Sequence, residues 1–136
     1  MYSDKIQLAI EKASIMHNGQ VDKAGVPYIN HIMCVAFQMN SENEIIVALL
    51  HDILEDTSFE LSEIKELFGD EICDAVDAIT RRDSEDYFNY ISRVKKNSLA
   101  SRVKIADLRH NMSRRNNISE SLYNRYKKAL EILLGY

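Results

Sequence analysis

The chain has 136 residues, of which 28% are charged and 46% are hydrophobic. This length allows one domain, residues 1–136, and the composition is that of a folded globular protein rather than a disordered one. No stretch approaches the ~20 apolar residues of a membrane span, and the N-terminus lacks a signal-peptide pattern. Two distant cysteines, Cys34 and Cys73, predict neither a disulfide framework nor a thiolate zinc site. We therefore expect a reduced, cytoplasmic protein with no membrane association.

The net charge of −4 conceals an asymmetry along the chain. Residues 1–92 hold 6 Lys or Arg against 18 Asp or Glu, whereas residues 93–128 hold 11 against 2. Such a division fits a phosphate-bearing ligand that meets the basic segment. It fits equally well an internal pairing of two oppositely charged parts, and charge alone leaves both interpretations open.

Apolar side chains recur at helical spacing through most of the chain, which contains one proline and four glycines. No alternating strand pattern competes, so we predict an all-α domain, a bundle of about seven or eight helices. Ser41 and Glu44 form a predicted capping box before the third helix. The apolar positions of the first three predicted helices lie within residues 6–16, 32–39 and 45–54, and the later helices are predicted over 62–68, 70–80, 87–94, 99–112 and 119–134.

The third predicted helix, residues 45–54, is apolar nearly all round and should be buried at the centre of the bundle. Its C-terminal end nevertheless carries His51 and Asp52, followed by Glu55 and Asp56. At 3.6 residues per turn, Glu55 lies one turn beyond His51 and Asp56 one turn beyond Asp52. Burying such groups is costly unless a counter-charge or a metal satisfies them; the alternative is that the helix ends here in solvent.

Two further residues favour a metal site. Asp107 is set into an apolar helical face, and His31 occupies an inward position early in the second helix. Alone, a histidine at such a position is more often a satisfied core residue than a ligand. Together with His51 and Asp52, however, these residues form a mixed set of imidazoles and carboxylates that leaves positions open on a divalent ion. The two carboxylates would also neutralise the charge of that ion.

The order His31, then His51-Asp52, then Asp107 resembles the H…HD…D signature of the HD-domain metal-dependent phosphohydrolases. In particular, the chain is similar to the hydrolase domain of RelA/SpoT-type alarmone proteins and to the small alarmone hydrolases. The similarity extends from about residue 1 to residue 113. It is carried by residues 17–20, 23, 25, 27–31, 48–57, 68–69, 103–107 and 110–112.

The resemblance implies a helical HD domain that binds one divalent metal through His31, His51, Asp52 and Asp107. It favours Mn²⁺, with Fe²⁺, Zn²⁺ or Mg²⁺ as alternatives. It also implies that the carboxylate pair after the HD dipeptide, Glu55-Asp56, assists catalysis. The implied reaction removes pyrophosphate from the 3′ position of ppGpp or pppGpp.

The resemblance further implies substrate contacts from Lys23 and Asn111, while Lys104 would compensate the charge of the phosphates. His17 matches a family position, and we expect it to hold the following loop near the metal. One departure concerns the base. Alarmone hydrolases usually carry a basic pair in this loop, whose arginine packs on the guanine, whereas this chain has Asp22-Lys23. An acid cannot stack on a base as a guanidinium does, and it repels a nearby polyphosphate.

The departure leaves several readings open. Either the guanine is held by other residues, with Arg81, Arg82 and Tyr87 as candidates, or the substrate is another nucleotide. A third reading is a non-catalytic module that contains a metal and grips a polyanion through residues 93–128. The intact carboxylate pair argues against that module, and the basic segment lacks the interleaved aromatics of single-strand binders. We therefore expect a nucleotide rather than nucleic acid as the partner, and an oligomer is compatible with the sequence.

Overall fold

A computed structural model describes residues 3–136 and confirms the predicted all-α architecture. Within these residues, none of the helices combines the length and the apolar character that a membrane crossing requires. A 3₁₀ helix covers Arg115–Asn117. The α-helices are α1 (Asp4–Met16), α2 (Ile29–Phe37), α3 (Glu42–Leu50), α4 (Ile53–Asp56), α5 (Leu61–Phe68), α6 (Asp70–Ile79), α7 (Tyr87–Lys95), α8 (Ser98–Ser113) and α9 (Glu120–Leu134).

Helices α3 and α8 form the centre of the bundle. Helix α3 packs against α1, α2, α6 and α8, and α8 also contacts α2, α6, α7 and α9. Every residue from Ile46 to Leu50 is buried, as predicted for a helix that is apolar on all sides. Because α2, α3 and α8 all pack against one another, polar residues on them can converge at one place in the interior.

The third predicted helix is interrupted, contrary to the prediction of one helix over residues 45–54. Helix α3 stops before His51 and Asp52, which form a turn, and α4 then follows as a single helical turn. His51 Nδ1 lies 2.6 Å from the Ala48 carbonyl oxygen, the acceptor that the Asp52 N–H would use in an uninterrupted α-helix. The His51 side chain, together with the His51 N–H at 3.4 Å, thus takes the place of the Asp52 N–H at this acceptor. With α3 and α4 counted together, the described residues form eight helices, within the predicted number.

The start of α3 also differs in one detail from the predicted capping box. Ser41 Oγ accepts a hydrogen bond from the Glu44 N–H at 3.2 Å, as an N-cap does. The Glu44 carboxylate instead accepts from the Ser41 hydroxyl at 2.9 Å and pairs with Arg102 at 3.1 Å. Arg102 on α8 therefore pairs with the Glu44 carboxylate, which the sequence pattern predicted to cap the helix.

Ion pairs connect the acidic and the basic parts of the chain. Three such pairs join a residue of the segment 93–128 to a carboxylate of residues 1–92. Internal pairing therefore accounts for part of the charge asymmetry. The pairs are Arg93–Glu85 at 2.8 Å, Arg102–Glu44 at 3.1 Å, and Arg114–Asp22.

Candidate metal centre

Four ionisable side chains meet where α2, the end of α3 and α8 come together. His31 lies in the first turn of α2, His51 and Asp52 lie in the turn after α3, and Asp107 lies within α8. His31, His51 and Asp107 are only 2–4% exposed, and Asp52 is half-buried. The structure therefore brings together all four residues that the sequence predicts as metal ligands.

The distances within this cluster suit a shared ion. His31 Nε2 lies 2.8 Å from Asp107 Oδ1, and His51 Nε2 lies 3.0 Å from Asp52 Oδ2 and 3.4 Å from Asp107 Oδ1. Ligand atoms of His31, His51 and Asp52 all lie within 4.8 Å of one another. Two atoms that each bind an ion at ~2.1 Å, at right angles, are ~3 Å apart. The observed separations therefore allow these atoms to bind one ion together.

Both histidine rings are oriented by a bond to their other nitrogen. His51 Nδ1 donates to the Ala48 carbonyl oxygen at 2.6 Å, which leaves Nε2 as the nitrogen that faces Asp52 and Asp107. His31 Nδ1 lies 2.6 Å from His110 Nδ1. Burial, His31 and Arg114 lower the pKa of His110, which favours a neutral ring that can accept this bond. Each ligand ring therefore presents Nε2 to the cluster.

A buried nitrogen in this cluster fits a bound cation. Among residues 3–136, no group makes a well-directed hydrogen bond with His51 Nε2, although carboxylate oxygens lie close to it. Burial opposes a charge on His51, but Asp52 and Asp107 raise its pKa well above the ordinary value. Two imidazole nitrogens and two carboxylates are donors that divalent first-row metals accept. The residues present therefore fit a divalent metal, which would satisfy the nitrogen and balance both carboxylates.

Asp107 is held by neighbours on its own helix. Lys104 Nζ donates to Asp107 Oδ2 at 2.9 Å, and Asn111 Nδ2 donates to Oδ1 at 3.3 Å. Burial alone would raise the pKa of Asp107, but the Lys104 ammonium and the two histidines hold it well below its usual range. Lys104 also lies over the Tyr90 ring, 5.5 Å from its centroid. Lys104 and Asn111 thus both donate hydrogen bonds to Asp107 in this structure. Their contacts with substrate stay a prediction.

Two hydrogen bonds connect the loop between α1 and α2 with the candidate metal centre and with α4 beside it. The Tyr28 hydroxyl donates to Asp52 Oδ2 at 2.5 Å, and burial together with the Asp52 carboxylate raises the pKa of Tyr28, which keeps it protonated. His17 Nδ1 is bonded to Gln20 Oε1 at 2.8 Å, and Gln20 Nε2 donates to the Asp56 carbonyl oxygen at 3.0 Å. This connection supports the structural role predicted for His17.

Glu55 and Asp56 lie on α4, at the exposed side of the cluster. Glu55 Oε1 accepts a hydrogen bond from the Arg81 N–H at 2.7 Å. Partial desolvation by the surrounding protein, with a contribution from the Asp52 carboxylate, raises the pKa of both Glu55 and Asp56. An open pocket of about 500 Å³ borders both carboxylates and Arg82. They are therefore placed to meet a ligand from solvent.

A second pocket, of about 190 Å³, lies among the loop before α2, the end of α8 and α9. Its wall includes the predicted substrate contacts Lys23 and Asn111, and Lys23 is exposed. We call it the α9 pocket. Its lining residues are Asp22, Lys23, Tyr28, Asn111, Arg114, Asn117, Ile118, Leu122 and Tyr126.

The three side chains predicted as alternative contacts for the base already interact with other protein groups. The Arg81 guanidinium donates to the Glu85 carbonyl oxygen at 2.8 and 3.0 Å, and Arg82 pairs with Asp77 at 3.3 Å. The guanidinium groups of Arg81 and Arg125 lie over the Tyr87 ring, 5.4 and 3.8 Å from its centroid. All three side chains thus have protein partners, although Arg81 and Arg82 also border the open pocket beside α4.

Sequence reasoning assigned no role to several residues around the centre. Tyr28 and His110 lie within matched segments, and their short spacing from His31 and Asp107 could have singled them out. Tyr126 on α9 lines the second pocket, and no local sequence signal connects it with residues so far away along the chain. Only the packing of α9 against α7 and α8 places it there.

Comparison with known proteins agrees with this arrangement. A solved structure of a metazoan ortholog of SpoT that hydrolyzes ppGpp and plays a role in starvation responses superposes with a TM-score of 0.83. It is 24% identical, and the match covers 99% of this chain and 88% of that one. At this identity the likeness shows the fold.

Curated relatives are longer proteins. The guanosine-3′,5′-bis(diphosphate) 3′-pyrophosphohydrolase of Aquifex aeolicus is 42% identical over 84 residues, which cover 59% of this chain and 12% of that protein. The probable GTP pyrophosphokinase of Mycobacterium leprae is 32% identical over 120 residues, which cover 79% and 15%. This chain thus spans less than a fifth of either relative.

The family model described as HD domain matches residues 9–115, which include all four residues of the cluster and both carboxylates of α4. That match covers more than half of the chain. On the evidence of the match and of the cluster geometry, the chain belongs to the HD domain family.

Proposed function

We propose that this protein is a metal-dependent phosphohydrolase that removes pyrophosphate from the 3′ position of ppGpp or pppGpp. The observation that carries the proposal is the convergence of His31, His51, Asp52 and Asp107, with an exposed carboxylate pair one turn further on. A purely structural metal site would not need that second pair. Mn²⁺ is the ion we expect, with Fe²⁺, Zn²⁺ or Mg²⁺ as alternatives.

When bound, a divalent metal supplies a water that is nucleophilic near neutral pH and polarises a phosphoryl oxygen. In the proposed reaction, the water oxygen bonds to the phosphorus attached to O3′, and the bond between that phosphorus and O3′ breaks. Glu55 orients the attacking water or takes its proton, and Asp56 gives a proton to the departing O3′; the two roles could also be exchanged. The raised pKa values of Glu55 and Asp56 suit proton transfer.

The names of the relatives support nucleotide chemistry with 3′-pyrophosphate groups. Proteins of this similarity are named both as pyrophosphohydrolases and as pyrophosphokinases, and SpoT of Escherichia coli, 29% identical over 111 residues, as a bifunctional synthase/hydrolase. We assign hydrolysis to this chain because its described residues hold a metal-type cluster of histidines and carboxylates. Lys23, Lys104 and Asn111 are the substrate contacts that we propose. We also propose that the protein acts in the cytoplasm, where the free thiols of Cys34 and Cys73 would stay reduced.

Two other functions remain as alternatives with less support. A different nucleotide as substrate was motivated by the carboxylate of Asp22, but that carboxylate is paired with Arg114 instead of facing the site alone. A polyanion-binding module was motivated by the basic segment 93–128. Several of its cations are engaged in internal pairs, which reduces the free positive charge that such a module would need.

The test is release of pyrophosphate from ppGpp with and without Mn²⁺, beside a panel of other nucleotides. We expect Mn²⁺-dependent release from ppGpp, abolished in Asp107→Asn. Preference for another nucleotide would retain the metal chemistry and reject the alarmone. If the metal-loaded protein hydrolyses no nucleotide of the panel, the result would favour the binding module. Retention on a nucleic-acid column that falls steeply with salt concentration would then demonstrate that module.

A further inference from the structure

The loop before α2 is closed by an aspartate that binds both its own loop and a distant arginine. Asp22 Oδ1 accepts hydrogen bonds from the N–H groups of Ala24 at 2.8 Å and Val26 at 3.0 Å. Its other oxygen, Oδ2, is paired with Arg114 Nη2 at the C-terminal end of α8. The hydrogen bond from Arg114 holds the pKa of Asp22 below its usual value. Asp22 is therefore a fixed anion that positions one guanidinium.

Both members of this pair line the α9 pocket. The pocket adjoins the candidate metal centre because Tyr28 in its wall donates to Asp52, and Asn111 in its wall donates to Asp107. Its volume of about 190 Å³ is below the ~300–1,000 Å³ of pockets that enclose a whole drug-sized ligand. It can therefore take one part of a nucleotide whose phosphates lie at the metal centre.

The chemistry of the wall suits a flat aromatic ring with acceptors on one edge. Ile118, Leu122 and the ring of Tyr126 provide apolar surface in its lining. Arg114 provides N–H donors in a rigid planar fork, of which one nitrogen is bonded to Asp22. A guanidinium fork matches the adjacent N7 and O6 acceptors of guanine, whereas adenine presents a donor at the second position.

We propose that Arg114, positioned by Asp22, selects a guanine base in the α9 pocket; this inference rests on the proposed nucleotide hydrolase function. The arginine absent from the loop before α2 is thus supplied by the end of α8. Asp22 then neutralises a cation instead of repelling the substrate. Asp22 is a positioning residue, and Arg114 is the residue that contacts the base.

The experiment uses the Mn²⁺-loaded protein with Glu55→Gln added to prevent turnover, titrated with ppGpp and with its adenosine counterpart. We expect a preference of roughly 10- to 100-fold for the guanosine compound, the range of one bidentate contact to a base. Arg114→Gln and Arg114→Lys should both remove the preference, the second because an ammonium lacks the planar fork. Arg115→Gln, the neighbouring exposed arginine, should retain it.

Asp22 is tested in the enzyme without the Glu55 substitution. Asp22→Asn should raise KM for ppGpp several-fold with kcat within about twofold, and Asp22→Glu should restore most of the loss. A guanosine preference that survives in Arg114→Lys would overturn the inference while hydrolysis still stands. Absence of Mn²⁺-dependent hydrolysis by the unmodified protein would instead reject the proposed function. Arg114→Lys keeps the ion pair, so it stays informative if the glutamine variant does not fold.

Discussion

Two ionisable dipeptides, His51-Asp52 and Glu55-Asp56, lie four residues apart in the sequence, yet they differ in their exposure to solvent. His51-Asp52 forms the turn after α3, where His51 is 2% exposed and each side chain is bonded to a neighbour. Glu55-Asp56 lies on α4, exposed and beside an open pocket. Burial makes the first pair suited to a cation, whereas exposure leaves the second pair able to exchange protons with a ligand and with water.

A break in the helix separates the two dipeptides. The helix is interrupted where the Nδ1 and the N–H of His51 both bond to the Ala48 carbonyl, and α4 starts as a separate turn. Asp56 N–H still bonds to the Asp52 carbonyl at 3.1 Å, which keeps the second pair one turn beyond the first. The metal binding and the proton transfer that we propose thus fall on successive turns of nearly the same helical segment.

The largest effect should come from Asp107→Asn. We expect the Mn²⁺ affinity to fall by more than the ~10–100-fold typical of an outer-shell substitution, with activity lost in parallel. The free energy of unfolding should fall by about 3 kcal/mol, because the half-buried Lys104 side chain loses its carboxylate. Metal content by elemental analysis and urea unfolding measure both effects. Asp74→Asn, at an exposed aspartate on α6, is the control. An Asp107→Asn protein with a full metal complement would remove Asp107 from the ligand set.

Glu55→Gln should separate the two dipeptides functionally. We expect kcat to fall by about 10²–10⁴, the usual contribution of general acid–base catalysis, with bound Mn²⁺ unchanged. Glu55 must be ionised to act as a base, and its pKa is raised from 4.5. The activity of the unmodified enzyme should therefore decline as the pH falls through that raised pKa, and this decline should be absent from the variant. Equal kcat values at pH 7 and saturating Mn²⁺ would exclude Glu55 from the proton transfer.

Tyr28→Phe tests the support of the buried dipeptide. Removal of the hydroxyl leaves Asp52 Oδ2 without the bond that orients it. We expect Mn²⁺ to bind ~10–100-fold more weakly, the usual cost of losing such a partner. Competition with a fluorescent chelator measures the affinity, and Tyr123→Phe on α9 is the matched control. Unchanged affinity in Tyr28→Phe would mean that Asp52 needs no such support.

The smallest effect is expected at Glu85, whose carboxylate pairs with Arg93 and has no proposed part in the reaction. The hydrogen bond from Arg93 lowers the pKa of Glu85 from 4.5 to about 2. Because the folded pKa is depressed, this stabilisation is complete above pH 4.5 and is lost as the pH falls towards about 2. Glu85→Gln should therefore be less stable at pH 7 and similar to the unmodified protein near pH 2. Urea unfolding across this range measures the difference, and a gap that stays constant with pH would contradict the assignment.

Much of the fold could be predicted because local patterns and packing agree. The apolar spacing that predicts the helix over 70–80 corresponds to α6, and the spacing over 119–134 corresponds to α9. The continuous helix over 45–54 was wrong because a side chain competes with the backbone for one carbonyl, which periodicity does not encode. The pair Arg102–Glu44 altered the predicted cap for a similar reason, since its two members are far apart in the chain.

The sequence by itself determined the helical class and the four ligand candidates, because residue type and spacing suffice for both. Only the tertiary structure decided which side chains support them. His110 behind His31, Lys104 on Asp107 and Tyr28 on Asp52 are contacts between specific atoms. It also turned Asp22 from an apparent obstacle into the partner of Arg114. The physical reason is that a charge acquires its effect from its neighbours in space, and the packing of α8 and α9 sets those neighbours.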